Sequence, residues 1–287
     1  MKTAILVVMY GKEMLESKTI QGLMSIQNEN SRLTICNNGP SIIEKNTVIL
    51  NKLNKNHDSV FLYQHPENKP LSHLYNDFIF SEMNVGCSRF IILDDDTNVD
   101  VSFFQSLNKD YDTYHPDIQL PKIISIENGR TYYPVVNQKV ILSNGIIPLF
   151  DGDKLFSIGS GLVIYRSLIE KMINCDMLPF DVRFALYGVD YSFFRRVMLI
   201  LGRDQKFIVT SSFSLNHSLS RTSHNDSKSR KLERLYDVIL SNKHYPKKKK
   251  LVYYYFLTVV FKQLAKFEFY FAWQCIIVFF KGQHPRC

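Results

Sequence analysis

Four short apolar runs recur along the first hundred residues: 3–10 (TAILVVMY), 31–36 (SRLTIC), 59–63 (SVFLY) and 89–93 (RFIIL). Each closes on turn-forming or polar residues. Runs of this length with no polar alternation mark parallel strands buried on both faces. Between them, segments 12–28, 40–55 and 71–83 carry helical spacing. In the last, Leu71, Leu74, Tyr75, Phe78 and Ile79 share one face. Strand–helix alternation of this kind requires right-handed crossovers, and so an α/β, Rossmann-like, mostly parallel central sheet flanked by helices. Such sheets bind ligands beyond the carboxyl ends of their strands. The tips there read MYGK, CNNGP, QHPENKP and DDDTN.

The pattern loosens from 110 to 157 into short strand-like pieces with Pro, Asn and Gly. Residues 157–173 read as a Gly-rich turn, a strand and a helix. A further helix starts near Gly188, and 206–217 form a last strand ending on polar groups. The 287 residues therefore divide into a catalytic-type domain, 1–220, with halves of about 1–100 and 101–220, and a basic, aromatic, helical C-terminal appendage, 221–287. The opening apolar run is short and has no small-residue cleavage site, so it reads as a strand rather than a secretion signal. Five scattered cysteines without a CxxC pair point to a reducing compartment and away from structural zinc.

Charge is unevenly placed. Residues 221–250 hold ten Lys/Arg against three Asp/Glu and 251–287 hold four against one, while the whole chain is +8, leaving the body near −2. A nucleic-acid enzyme more often carries positive charge around its cleft, so no nucleic-acid partner is expected.

In RFIILDDDTNVD, residues 89–100, a strand delivers Asp94, Asp95 and Asp96 to one spot. Adjacent carboxylates repel, and the more so when desolvated, unless a cation or a donor array meets them. Two lone aspartates would suit a solvated turn or a helix cap. Three after four apolar residues point to a hard divalent cation, since an Asp-x-Asp spacing sends two carboxylates to one side. Mg²⁺ in particular favours one or two carboxylates plus substrate phosphates.

Four stretches together resemble a family 2 glycosyltransferase of the GT-A fold, of the bacterial kind that extends O-antigen or capsule repeat units. ILVVMYGK with LTICNNGP is similar to the strand pair whose loop ends hold the nucleobase. ENKPLSHLYNDFI is similar to the Asn-x-Gly…Asn helix, with Lys69 where Gly is usual. IILDDDT is similar to the Asp-x-Asp motif. GSGLVIYRSLIEKM…LPFDVRFALYGVDYSFFRR is similar to the acceptor-side segment ending in a Glu-Asp motif, with Val189 where Glu is usual. The resemblance covers about residues 1–220.

That resemblance implies inverting transfer of a hexose from a nucleotide-diphosphate sugar, assisted by Mn²⁺ or Mg²⁺. Asp96 and Asp94, with His217 of SLNH, would hold the metal, and Asp190 of YGVD would be the general base. Tyr10, Asn38, Asn76, Asp94, Asp95 and Arg196 would line the donor. Gly159, Ser160 and Asp153 would lie on the acceptor side. Asn37 and Asn38 have the donor and acceptor atoms to read a uracil or thymine edge, and turn chemistry explains NNGP equally well. Asp151 and Asp153 of FDGDKLF mimic the metal motif but read as a turn. Ser218 and Arg221 are candidates for a loop that closes over the donor. UDP-glucose or UDP-galactose is the first expectation for the donor and dTDP-rhamnose the alternative. A nucleotidyltransferase would instead carry a Gly-rich basic loop after the first strand, which MYGKEMLES lacks.

The acceptor implied is a lipid-linked sugar of the undecaprenyl diphosphate type. The tail suits it. In 247–281, Lys262, Lys266 and Glu268 interrupt the apolar residues, so no stretch of about 20 can cross a bilayer. Lysines beside aromatic helices fit a surface-lying membrane contact through 243–281. Packing on the catalytic domain, or a dimer contact, is the competing reading. The expected location is the cytoplasm, peripheral on the inner face of the bacterial cytoplasmic membrane. From a different class, a non-catalytic basic membrane- or nucleic-acid-binding module would be indifferent to the aspartates.

Overall fold

A computed structural model describes residues 1–28, 30–203, 205–217 and 227–287. Ser218 and Arg221 lie outside the described residues. The chain opens with strands β1 (Thr3–Met9), β2 (Ser31–Asn37), β3 (Ser59–Gln64) and β4 (Arg89–Asp94), separated by helices α1 (Lys18–Leu23), α2 (Thr47–Asn56) and α3 (Leu71–Asn84). Then come α4 (Val101–Tyr114), β5 (Ile118–Gln119), β6 (Lys122–Ser125), β7 (Thr131–Tyr133), β8 (Val135–Val136), β9 (Lys139–Val140), β10 (Gly145–Ile146), β11 (Leu155–Phe156), β12 (Leu162–Tyr165), α5 (Arg166–Ile173) and α6 (Val189–Leu201). β13 (Val209–Ser211), β14 (Ser214–His217), α7 (Lys228–His244), α8 (Val252–Leu264) and α9 (Phe269–Lys281) complete it.

The central sheet has eight strands in the order β10-β13-β5-β12-β4-β1-β2-β3. β1 to β4 are mutually parallel, and only β12 and β10 run against the rest. The period of two along β1 sorts its side chains. Ala4 and Leu6 enter one core with α3, α5 and α6, while Ile5, Val7 and Met9 enter the other with α1, α2 and α4. The first core continues without a break into Tyr236, Ile239, Leu240, Phe256, Val278 and Phe279 of α7–α9.

Several segments differ from the sequence reading. The segment 12–28 holds only a 3-10 turn at Met14–Glu16 and the six-residue α1, because Ser17 caps a new helix start and accepts from Ile20 N at 3.2 Å. The segment 40–55 begins its helix only at Thr47, where Asn46 caps Ile49 N. The piece at 110–114 is the end of α4, whose start is capped by Asp100. The last strand, 206–217, is two strands in different sheets: β13 beside β5, then β14 beside β6. The β5–β6 and β13–β14 stretches bend together there, with Leu120 N donating to Thr210 O at 2.9 Å and Lys122 N to Phe213 O at 2.8 Å. This bend carries His217 away from the main sheet and over the end of β4.

Candidate active site

β4 ends at Asp94, and the turn after it is held from two sides. From α1, the Thr19 hydroxyl reaches Asp94 O and Thr97 O and accepts from Thr97 N at 3.0 Å, while Ser17 Oγ donates to Asp95 O at 2.9 Å. From the approach to β12, Ser160 Oγ accepts Asp94 N at 3.2 Å and lies 2.5 Å from Thr97 Oγ1. With its backbone fixed, the triplet splits by alternation. Asp95 turns toward the end of β1, taking Tyr10 N–H at 3.2 Å and the ammonium of Lys12. Asp94 and Asp96 turn the other way, toward His217: Asp96 Oδ1 is 3.3 Å from Nδ1 and Asp94 Oδ2 is 3.9 Å from Nε2.

One ligand atom from each of Asp94, Asp96 and His217 falls within 4.8 Å of the others. Two carboxylate oxygens and an imidazole nitrogen form a group able to take a divalent cation. The electrostatics fit such an occupant. Withdrawal from water, opposed by His217 and reinforced by Asp96, Asp190 and Asp95, raises the Asp94 carboxyl above its ordinary range. Burial lowers the His217 pKa, but hydrogen bonding to Asp96 and the charge of Asp94 outweigh it and raise it overall. Asp94 and Asp96 bring like charges to one spot with Asp190 close by, and a cation between them would offset that repulsion.

Asp190 sits in the first turn of α6, behind Gly188 at φ +83. Its Oδ2 accepts Gly159 N–H at 2.9 Å. Burial pushes this carboxyl up to about 6, against the Gly159 bond and His217 and with the help of Asp237. Gly159 has no side chain for a direct reason: a Cβ there would lie 2.7 Å from Asp190 Oδ1. The dipeptide Gly159–Ser160 is thus a joint. One residue holds Asp190 and the next holds the backbone of Asp94.

The other candidates are placed as follows. Tyr10 is exposed at the end of β1. Asn38 is buried, with Nδ2 donating to Asn68 Oδ1 at 3.2 Å and Lys69 O at 3.0 Å, while its buried Oδ1 has no hydrogen-bond partner. Asn37 spends its amide on Ser41 O, Gln64 Oε1 and Gly39 N. Asn76 clasps the backbone of Phe180 with both ends, at 2.8 and 3.0 Å, tying α3 to the loop before α6. Arg196 is directed to Asp181, Leu178 O and the Tyr245 hydroxyl rather than to the aspartate cluster. Asp153 closes a turn, accepting from Phe150 N and Asn137 Nδ2. The sequence reading did not single out Lys12, Thr19, Thr97 or Asp237. MYGK held the signal for Lys12. Asp237 had none, since it reaches the site from a distant helix and would lie 2.3 Å from a Cβ on Gly188.

No family model matches the chain, and no curated protein matches it by sequence. Solved structures do. S. aureus TarS superposes over 97% of this chain and 54% of its own at a TM-score of 0.51 and 12% identity. Its fragment 1–349 does so over 91% of this chain and 72% of its own, with a TM-score of 0.51 and 13% identity. This chain spans about half the length of TarS. With the mostly parallel sheet and its flanking helices, the likeness defines the class: an α/β fold of the GT-A type.

Proposed function

We propose that this chain is an inverting glycosyltransferase of family 2. It moves a hexose from a nucleotide-diphosphate sugar to a lipid-diphosphate-linked sugar of the undecaprenyl type, in O-antigen or capsule synthesis. The observation that carries the reading is the Gly159–Ser160 joint, which sets a carboxylate base candidate beside an Asp-Asp-His group at the carboxyl ends of parallel strands. Asp94, Asp96 and His217 would hold Mn²⁺ or Mg²⁺, which neutralises charge on a leaving diphosphate when bound. Asn38, with its unmatched Oδ1, and Tyr10 would meet the nucleobase end, and Lys12 and Asp95 the adjoining ribose and phosphates.

Asp190 takes the proton of the acceptor hydroxyl as that oxygen attacks the anomeric carbon. The carbon's bond to the diphosphate oxygen breaks with inversion, and the nucleoside diphosphate leaves. A carboxyl poised near 6 is ionised at neutral pH yet basic enough to assist. UDP-glucose or UDP-galactose is the favoured donor and dTDP-rhamnose the second. The enzyme acts peripherally on the cytoplasmic face of the bacterial inner membrane.

The test measures nucleoside diphosphate released from each of these sugars in the presence of lipid-linked acceptor, with Mn²⁺. Release that needs acceptor and falls at least a hundredfold in Asp190→Asn is the expected result. No release from any nucleotide sugar, or release unchanged in Asp190→Asn, overturns the reading.

A further inference from the structure

The helices after residue 227 bury one face and expose another. Phe256, Val260 and Gln263 of α8 and Ala272, Cys275, Val278 and Phe279 of α9 are buried, and the apolar ones among them join the core shared with α7 and the sheet. The outer face is just as apolar. On α8, Tyr253, Tyr254, Leu257 and Phe261 span an arc of roughly 100° at helical spacing, and on α9 Phe269, Tyr270, Trp273, Ile277 and Phe280 do the same. Phe267, at the tip between the helices, is 81% exposed. Ten large apolar side chains on one hairpin exceed the scattered apolar exposure of a typical monomer surface.

Charge identifies the occupant. Lys247 to Lys250 are all exposed at the foot of α8, and Lys262, Lys266 and Lys281 are exposed on the hairpin itself. Its one carboxylate, Glu268, is drawn to Lys231 of α7. A second copy of this chain would bring seven more exposed lysines against these seven, which like-charge repulsion opposes. Anionic phospholipid headgroups attract them, and aromatic rings settle at the headgroup level. No helix among the described residues is long and apolar enough to cross a membrane.

We propose that the outer face of the α8–α9 hairpin is an interfacial membrane-binding surface for anionic phospholipid, its aromatic rings inserted at headgroup depth and its lysines paired with the headgroups. The packing and membrane readings of the tail then apply to different faces: the inner face packs and the outer face binds lipid. The proposal rests on the reading above only for its purpose, because a lipid-borne acceptor requires the enzyme at a bilayer. Lipid binding itself needs no donor, metal or turnover. α7 links the two regions, since Tyr236 bonds Gln274 of α9 while Asp237, one residue on, stands against Gly188 beside Asp190.

Trp273 is the chain's one tryptophan and is 60% exposed, so its emission reports the face directly. The full chain is titrated with vesicles of phosphatidylcholine alone and with about one third phosphatidylglycerol. The expected result is a blue shift and co-flotation with the anionic vesicles only. Replacing Lys247–Lys250 by Gln should lower partitioning by on the order of 10²- to 10³-fold, at about fivefold per lysine near an anionic surface. Trp273→Ser with Phe261→Ser should abolish flotation while leaving nucleotide binding and the melting temperature in place, as both residues face outward. Unchanged Trp273 emission and no flotation on anionic vesicles overturn the proposal. A blue shift that follows protein concentration without vesicles, with a dimer in sedimentation, overturns it in favour of self-association. Flotation without any nucleotide binding would sustain the membrane surface and sink the transferase reading.

Discussion

Gly159→Ala isolates the joint between the base candidate and the metal group. The backbone at Gly159 lies outside the left-handed region, so alanine is allowed there and only its Cβ matters. That atom would meet Asp190 Oδ1 at 2.7 Å, Cγ at 3.2 Å and Oδ2 at 3.4 Å. Restoring ordinary contact at about 3.4 Å requires the carboxylate and the loop to separate by roughly 0.7 Å. The same movement lengthens the Gly159 N–Asp190 Oδ2 bond from 2.9 Å, an interaction of a class contributing about 1.5–3 kcal/mol. Displacing a reacting group by about 1 Å costs on the order of 10² in rate. The expected result is therefore a kcat about a hundredfold lower, with donor KM within about twofold of wild type. The acid limb of the pH profile should also move upward, because the bond that holds the Asp190 carboxyl down is weakened. Steady-state transfer over a pH series measures all three. Wild-type kcat, or a loss that appears wholly in donor KM, would refute the placement of Asp190 as the base.

Asp190 is useful only when ionised, so wild-type kcat/KM should rise with pH through a midpoint near 6 and level off above 7, as a rate–pH profile at subsaturating substrate would read. Asp181 is fully buried between Arg183, Arg196 and the Tyr245 hydroxyl, and these partners, working against burial, hold its carboxyl well below the usual range. Asp181→Asn leaves two guanidinium groups short of their counter-charge and should cost roughly 3 kcal/mol in urea unfolding; a loss under about 0.5 kcal/mol would contradict this. Asn38→Ala should weaken nucleotide diphosphate binding about tenfold in calorimetry, and should also lower the melting temperature, since the Nδ2 bonds to Asn68 Oδ1 and Lys69 O are lost with the free Oδ1.

How much was readable in the sequence follows from which forces act locally. β1, β2 and β4 were legible to within a residue because strands buried on both faces must be apolar throughout, the half-buried edge strand β3 because its run is apolar and β-branched, and α3 because one helical face alone enters the core. α1 was read too long because its boundary is set by the Ser17 cap and by Gly22, whose missing side chain lets Val99 O approach. The split of β13 from β14 was hidden because no Gly or Pro interrupts residues 209–217, and only their partners β5 and β6 define the bend. The pairing of Asp94 with Asp96 was legible as chemistry from residue type and strand-end position, whereas His217 entered only through the family resemblance. Which way each aspartate faces was not legible, since that depends on Lys12, Ser17, Thr19 and Ser160 from two other segments. Asn76 and Arg196 show the opposite limit. Their residue types suit a phosphate or a sugar, yet the fold gives them to Phe180 and Asp181.

The central claim is that Asp94, Asp96 and His217 hold a divalent cation that recruits a nucleoside diphosphate. Calorimetric titration of UDP and dTDP into the wild-type chain and Asp96→Ala, with and without Mn²⁺, tests it most directly. The account predicts binding of at least one of the two nucleotides that depends on Mn²⁺ in the wild type and is lost in Asp96→Ala. Binding that ignores both the metal and the substitution, or no binding of either nucleotide under any condition, would contradict it.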